Sequence, residues 1–162
     1  MDFEDYTKDA RSFFEAARSA AQDARHLERA ALRMASAEGL HGARLAAGGG
    51  GRADAMGATD ARIDYESRIA KRLEDDRALI DACGAVVYGR DQARPGGLRA
   101  LLGGKVADAC WWRWGAGETW AAVSDMVGMS ERWCRQACEQ ACDTVDALGF
   151  AAVVEGRGMA EG

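Results

Sequence analysis

The sequence contains a single proline, Pro95, in 162 residues, and runs of β-branched residues are nearly absent. The best of these runs are Val86–Val87 and Val153–Val154, which are too short to build a sheet. What the chain has instead is alanine, arginine, glutamate and leucine, all of which favour helices. We therefore predict an all-α fold.

Long apolar stretches are also missing. No segment approaches the roughly 18 apolar residues that a membrane span needs. Residues Met1 to Asp5 have neither the basic nor the apolar region of a secretory signal. Five cysteines in an unexported chain are most simply free thiols in a reducing compartment. We expect a cytoplasmic protein with no membrane partner.

The sequence lacks a recognisable catalytic or metal-binding grouping. Gly103-Gly104-Lys105 has neither the flanking glycine nor the following Ser/Thr of a phosphate-binding loop. Cys134, Cys138 and Cys142 follow one another along a single predicted helix. Zinc sites usually draw ligands from two chain segments, so we interpret these cysteines as small core residues. We expect no enzymatic activity, no cofactor and no metal.

Positive charge is scarce. The net charge is −5, and residues 105–162 carry only 5 basic side chains against 9 acidic ones. This balance argues against a protein that binds nucleic acid through bulk electrostatics. Affinity for DNA would have to come from the local placement of a few arginines.

The first half of the chain predicts a helical hairpin over residues 1–89. A glycine-rich linker at 39–58 separates a helix at about 3–38 from a second at about 60–88. The first helix carries apolar residues at alternating steps of three and four, the pattern of a packed helical seam. Its members are Phe3, Tyr6, Ala10, Phe13, Ala17, Ala20, Ala24, Leu27, Ala31 and Met34. We expect these N-terminal helices to mediate homo-oligomer formation.

The second half predicts a trihelical domain over residues 98–149, followed by a tail at 150–162. A turn at Arg94–Gly97 leads into a short helix at Leu98–Leu102. Longer helices are expected at Val106–Trp114, at Thr119–Val127 and from Ser130 to about Ala147.

The last two helices fit a helix-turn-helix motif. Gly128 stands where the turn needs a positive φ, which only glycine adopts without steric cost. The positions expected to point inward are Val123, Val127, Met129, Cys134 and Ala137. Arginine and glutamine on the outward face suit recognition of guanine and adenine in the major groove. The candidate DNA-binding residues are Ser130, Glu131, Arg132, Trp133, Arg135 and Gln136.

The segments Thr119–Val123 and Gly128–Gln136 resemble region 4 of sigma-70-type factors, which recognises the −35 promoter element. Trp111–Trp114, with Trp120, is similar to the arginine–aromatic pair that precedes that motif. The motif covers about 40 residues, and the layout of the whole chain resembles phage late-transcription regulators of the ArpU and RinA type. The resemblance implies a sequence-specific regulator of phage or prophage origin that binds double-stranded DNA and acts with host RNA polymerase.

Two alternatives stay open. A phage terminase small subunit also joins a helix-turn-helix to oligomerising helices, but such proteins usually place the DNA-binding part first, whereas here it comes last. The other is a protein-interaction module that does not bind DNA, which the acidic charge balance favours.

Overall fold

The computed structural model describes residues 9–45 and 52–158, and every regular element in these ranges is helical. The all-α prediction is therefore confirmed. The α-helices are α1 (Ala10–Leu45), α2 (Arg52–Tyr88), α3 (Gly97–Leu102), α4 (Gly104–Cys110), α5 (Trp120–Val127), α6 (Glu131–Leu148) and α7 (Phe150–Val154). One turn of π-helix, Trp111–Gly115, follows α4 directly and is called the π-turn below. No helix of the described ranges is both long enough and apolar enough to span a membrane.

Both long helices extend into the predicted linker. Helix occupies 39–45 and 52–58, so only residues 46–51 of the segment 39–58 lie outside the described residues. Neither flank contains proline, the residue that ends helices most strongly, and an isolated glycine costs only about 1 kcal/mol in a helix. The seam positions Phe3 and Tyr6 also lie outside the described residues.

The described residues divide into two compact units. The larger unit combines residues 9–22 with 77–158, and the smaller unit combines 23–45 with 52–76. Each of the two long helices contributes to both units. The predicted hairpin at 1–89 and the predicted trihelical domain at 98–149 stay predictions.

The larger unit has an aromatic and aliphatic core to which α1 contributes its first turns. Phe13 and Phe14 are fully buried, as are Val86 and Val87 of α2. The Phe14 ring stacks on Trp114 of the π-turn, with 4.1 Å between centroids and 9° between planes. A hydrogen bond supports the same packing, because the Ala10 backbone N–H donates to Oδ1 of the Asp146 side chain at 2.8 Å.

The smaller unit contains α1 from Asp23 onward and α2 up to Asp76. Asp23 and Arg72 form an ion pair across it at 2.6 Å. Further along α1, Met34 shares a shallow apolar groove with Ile69 and Leu73. The Asp76 carboxyl lies beside Asp23, whereas Met34 lies beside Ile69, so the two segments run antiparallel. Few side chains here are buried, and Leu32, for example, is 70% exposed.

Two local features differ from the sequence-based expectation. The predicted tail at 150–162 begins with α7, because Val153 and Val154 are buried against the core of the larger unit. The predicted helix at Val106–Trp114 ends in the π-turn, where the Ala116 N–H donates to the Trp111 carbonyl at 2.8 Å. A Cβ on Gly115 would collide with the Trp111 ring, so glycine allows the indole to lie over this turn.

Candidate functional site

Side-chain caps precede both α5 and α6, at the residues where the sequence predicts these helices to begin. The Thr119 hydroxyl accepts a hydrogen bond from the Ala122 N–H at 3.3 Å, and the Ser130 hydroxyl accepts one from the Trp133 N–H at 3.1 Å. Such caps satisfy amide groups that a helix leaves without a backbone partner. They define where α6 begins and therefore which side chains its first two turns present.

The turn between the two helices is built around Gly128. Its backbone is left-handed, with φ 73° and ψ 30°, and its N–H donates to the Ser124 carbonyl at 2.9 Å. The Ser124 hydroxyl crosses the turn and donates to the Met129 carbonyl at 2.6 Å. This hydrogen bond holds the turn closed.

Helix α6 has one buried and one exposed face. The buried side chains recur at helical spacing and are Cys134, Ala137, Cys138, Ala141, Cys142 and Val145. Val123 of α5 is fully buried beside them, whereas Val127 and Met129 are only half-buried. The expected core role is thus confirmed for Val123, Cys134 and Ala137. The arrangement gives two helices joined by a tight turn, and its DNA-reading role stays a prediction.

The six candidate DNA-binding residues lie together at the start of α6, but they differ in exposure and in the contacts of their side chains. Ser130 is the cap, and Trp133 is half-buried against the core. Arg132 and Gln136 are exposed, and their side chains make no hydrogen bond or ion pair to any residue that the structure describes. Of the six candidates, these two can therefore meet a ligand without first losing a partner.

Arg135 is held by its neighbours. Its Nη2 lies 3.7 Å from Oε2 of Glu131, one turn earlier on the same helix. Its guanidinium carbon also lies 4.9 Å from the centre of the Trp120 ring. Contacts of a cation with an indole ring of this kind are worth about 0.5–1 kcal/mol at exposed sites. The arginine is therefore oriented in advance, and Glu131 offsets part of its charge.

A second arginine lies over the Trp120 ring. Arg113 of the π-turn lies 4.2 Å from the ring centre, and its Nη1 donates to the Glu118 carbonyl at 3.0 Å. Burial, and then the nearby Arg18, lower the pKa of the Arg113 guanidinium. The resemblance had paired these residue types, and the structure places Arg113 and Trp120 in contact.

Lys105 is the basic residue near the turn that sequence reasoning missed. Its ammonium lies 3.7 Å from the Met129 sulfur, so the first turn of α4 brings a cation to the start of α6. No local pattern could have indicated this position, because 24 residues separate Lys105 from Met129 in the chain.

The cysteines of α6 form part of the core. Cys134, Cys138 and Cys142 are all buried, as the sequence led us to expect. Burial raises the pKa of the Cys142 thiol to about 12, so it stays protonated near neutral pH. Within the described ranges, no three His, Cys, Asp or Glu side chains are grouped as a metal site.

Comparison of the chain with protein-family models, with curated proteins and with solved structures found no match.

Proposed function

We propose that this protein is a sequence-specific DNA-binding transcription regulator that contacts DNA through the start of α6. The observation that carries the proposal is the capped, exposed first two turns of α6, which follow a glycine turn and present Arg132, Arg135 and Gln136. Arginine and glutamine can each make two hydrogen bonds to one base in the major groove. The resemblance to sigma region 4 supports the same assignment.

The three side chains have different roles in this proposal. Arg132 and Gln136 have no partner among the described residues and make the base contacts. Arg135, oriented by Trp120 and Glu131, contacts the phosphate backbone. Lys105 adds a second contact with the phosphate backbone of the DNA, near the turn. Phosphate contacts position a protein on the duplex, whereas base contacts select the sequence.

The proposed activity needs more than one isolated copy of the chain. Residues 105–162 carry a net charge of −4, so only a few phosphate contacts can be favourable. A second copy, joined through the N-terminal helices, doubles the number of contacts. RNA polymerase could serve the same purpose by holding the protein at a promoter. The proposal includes neither catalysis nor a cofactor.

The test is a titration of the full-length protein with fluorescent fragments of its own genomic neighbourhood at two salt concentrations. We expect one fragment to be preferred, and Arg132→Ala/Arg135→Ala to weaken that binding at least tenfold. The matched control is Arg29→Ala/Arg33→Ala, which removes the same charge from exposed positions of α1. Equal weakening by the two double variants, or no preferred fragment, would contradict the proposal.

The acidic charge favours one competing function, a module that binds another protein instead of DNA. Under this alternative the same exposed face of α6 would recognise a partner surface, and no fragment would bind at moderate salt. A terminase small subunit is distinguished by mass, since a ring of many subunits would favour DNA packaging over regulation.

A further inference from the structure

The chain bends back between α2 and α3 around a cleft lined with arginines, here named the arginine cleft. Its cavity of about 760 Å³ is lined by Arg90, Arg94, Arg99, Asp91, Pro95 and Tyr88 together with neighbouring backbone. A smaller adjoining cavity, about 410 Å³, shares Arg90 and Arg94 and adds Arg157. In a chain with a net charge of −5, this is a local concentration of positive charge.

The acidic groups beside the arginine cleft already have partners. An Asp91 oxygen accepts a hydrogen bond from the Ala93 N–H at 2.9 Å, and Glu155 forms an ion pair with Arg157. Arg94 and Arg99 are exposed, and the side chain of neither makes a hydrogen bond or ion pair to any described residue. The lining of the larger cavity thus holds three arginines against the single carboxylate of Asp91, and neither Arg94 nor Arg99 is paired with it.

The floor of the cleft is made by close contacts between backbone segments. A Cβ on Gly89 would lie 2.9 Å from the Gly96 Cα, and a Cβ on Gly156 would lie 2.8 Å from the Pro95 carbonyl. Such contacts are possible only where side chains are absent. They fix the loop that carries Arg90 and Arg94 before any ligand arrives, which lowers the entropic cost of binding.

We infer that the arginine cleft is an anion site that binds a phosphate group through Arg94 and Arg99. The planar, always-charged guanidinium matches phosphate oxygens in geometry and can donate two parallel hydrogen bonds to them. The one aromatic side chain in the lining, Tyr88, already donates its hydroxyl to Asp108 at 2.7 Å. The unpaired guanidinium groups of the lining therefore recognise the charge of a phosphate.

This site is distinct from the start of α6. Gly96 of the cleft packs against the Val154 backbone of α7, which follows the carboxyl end of α6. The 18 residues of α6 span about 27 Å, so the two sites lie towards opposite ends of that helix. The phosphate can be a free anion or part of a nucleic-acid backbone, and the inference does not depend on the proposed function.

The test is a titration of the ¹⁵N-labelled full-length protein with inorganic pyrophosphate at constant ionic strength, with chloride as the reference anion. We expect saturable shifts of the Arg94 and Arg99 Nε–H signals and of the backbone amides of residues 89–97. Arg94→Ala/Arg99→Ala should weaken binding at least tenfold. Arg29→Ala/Arg33→Ala should leave it unchanged, and Arg94→Lys/Arg99→Lys should lose only part of it. Both target side chains are exposed, and an unchanged melting temperature will verify that the variants fold.

A second arm of the experiment identifies the source of the phosphate. If a short DNA duplex competes with pyrophosphate and binds more weakly to the cleft variant, the ligand is a nucleic-acid backbone. If pyrophosphate binds and the duplex does not compete, the ligand is a free phosphate compound. The inference is overturned if neither probe distinguishes the cleft variant from the charge-matched control. The Arg132→Ala/Arg135→Ala variant should still bind pyrophosphate normally, so failure of one proposal can be told from failure of the other.

Discussion

Replacing Gly128 with alanine isolates the contribution of the turn between α5 and α6. The residue has φ 73°, and a Cβ placed on it would meet no atom within 4 Å. The substitution therefore adds backbone strain without a steric clash. A left-handed backbone costs an L-residue about 1–2 kcal/mol. Alanine also restricts the unfolded chain more than glycine does, which stabilises the folded state by about 0.4–1 kcal/mol. The net expectation is a destabilisation of about 1 kcal/mol.

Gly104 provides the matched control in the same compact unit. It is exposed, has open space around its Cα and lies in α4 without a positive φ. Gly104→Ala therefore gains the unfolded-state term without the strain, and we expect it to stabilise the protein by about 0.5 kcal/mol. Asparagine tolerates the left-handed region, so Gly128→Asn should fall between wild type and Gly128→Ala.

The assay is thermal unfolding followed by circular dichroism, with urea unfolding as a second measurement. For a chain of this size, 1 kcal/mol corresponds to about 2–4 °C in melting temperature. Gly128→Ala should melt a few degrees below wild type and Gly104→Ala slightly above it. If Gly128→Ala melted at or above wild type, the left-handed turn and the course of the chain into α6 would be refuted.

Three further predictions concern the core and the titratable groups. Trp114→Ala should destabilise the protein by about 3–5 kcal/mol in urea unfolding, because it removes the ring stacked on Phe14. Trp112 is only half-buried, so an equal or larger loss of stability in Trp112→Ala would contradict this prediction. Burial and the neighbouring Asp23 carboxyl raise the pKa of Asp76, so the folded state holds that proton more tightly than the unfolded state. Asp76→Asn should therefore raise the melting temperature at pH 7, and the gain should vanish below about pH 4, where wild type is protonated in both states; a gain independent of pH would be evidence against it. The five cysteines are buried, and burial raises the pKa of Cys83 to about 12. A thiol reagent should therefore label no cysteine in the native protein and all five in guanidinium. Rapid labelling of the native protein would show that the core is open.

Local signals in the sequence predicted the features that depend on neighbouring residues. Ser130 as a cap, Gly128 as a turn and the spacing of Cys134 and Ala137 are properties of a few adjacent positions. Each has one dominant physical cause, which a short window of sequence contains. The end of α2 near Gly89 was predictable for the same reason.

Features that depend on distant contacts were not predictable. The seam of α1 indicates a helix with one buried face, but not which partner covers it. The structure covers its first turns with Trp114 and with Phe150, whose ring lies 4.9 Å from Phe13. The π-turn depends on Gly115 accommodating one indole ring. The arginine cleft was expected only as a turn, because the convergence of Arg94 and Arg99 on one cavity is a property of the folded chain.

The packing of α1 also bears on the candidate DNA-binding face. Phe14 stacks on Trp114, whose neighbour in sequence, Arg113, lies on the Trp120 ring that also carries Arg135. A continuous series of contacts thus leads from the first turns of α1 to a candidate phosphate-binding side chain. Deleting the start of α1 would expose Trp114 and loosen the support of Arg113. Residues 98–149 without α1 are therefore an unsuitable fragment for DNA-binding assays, because a negative result would report the lost core and not the chemistry of α6.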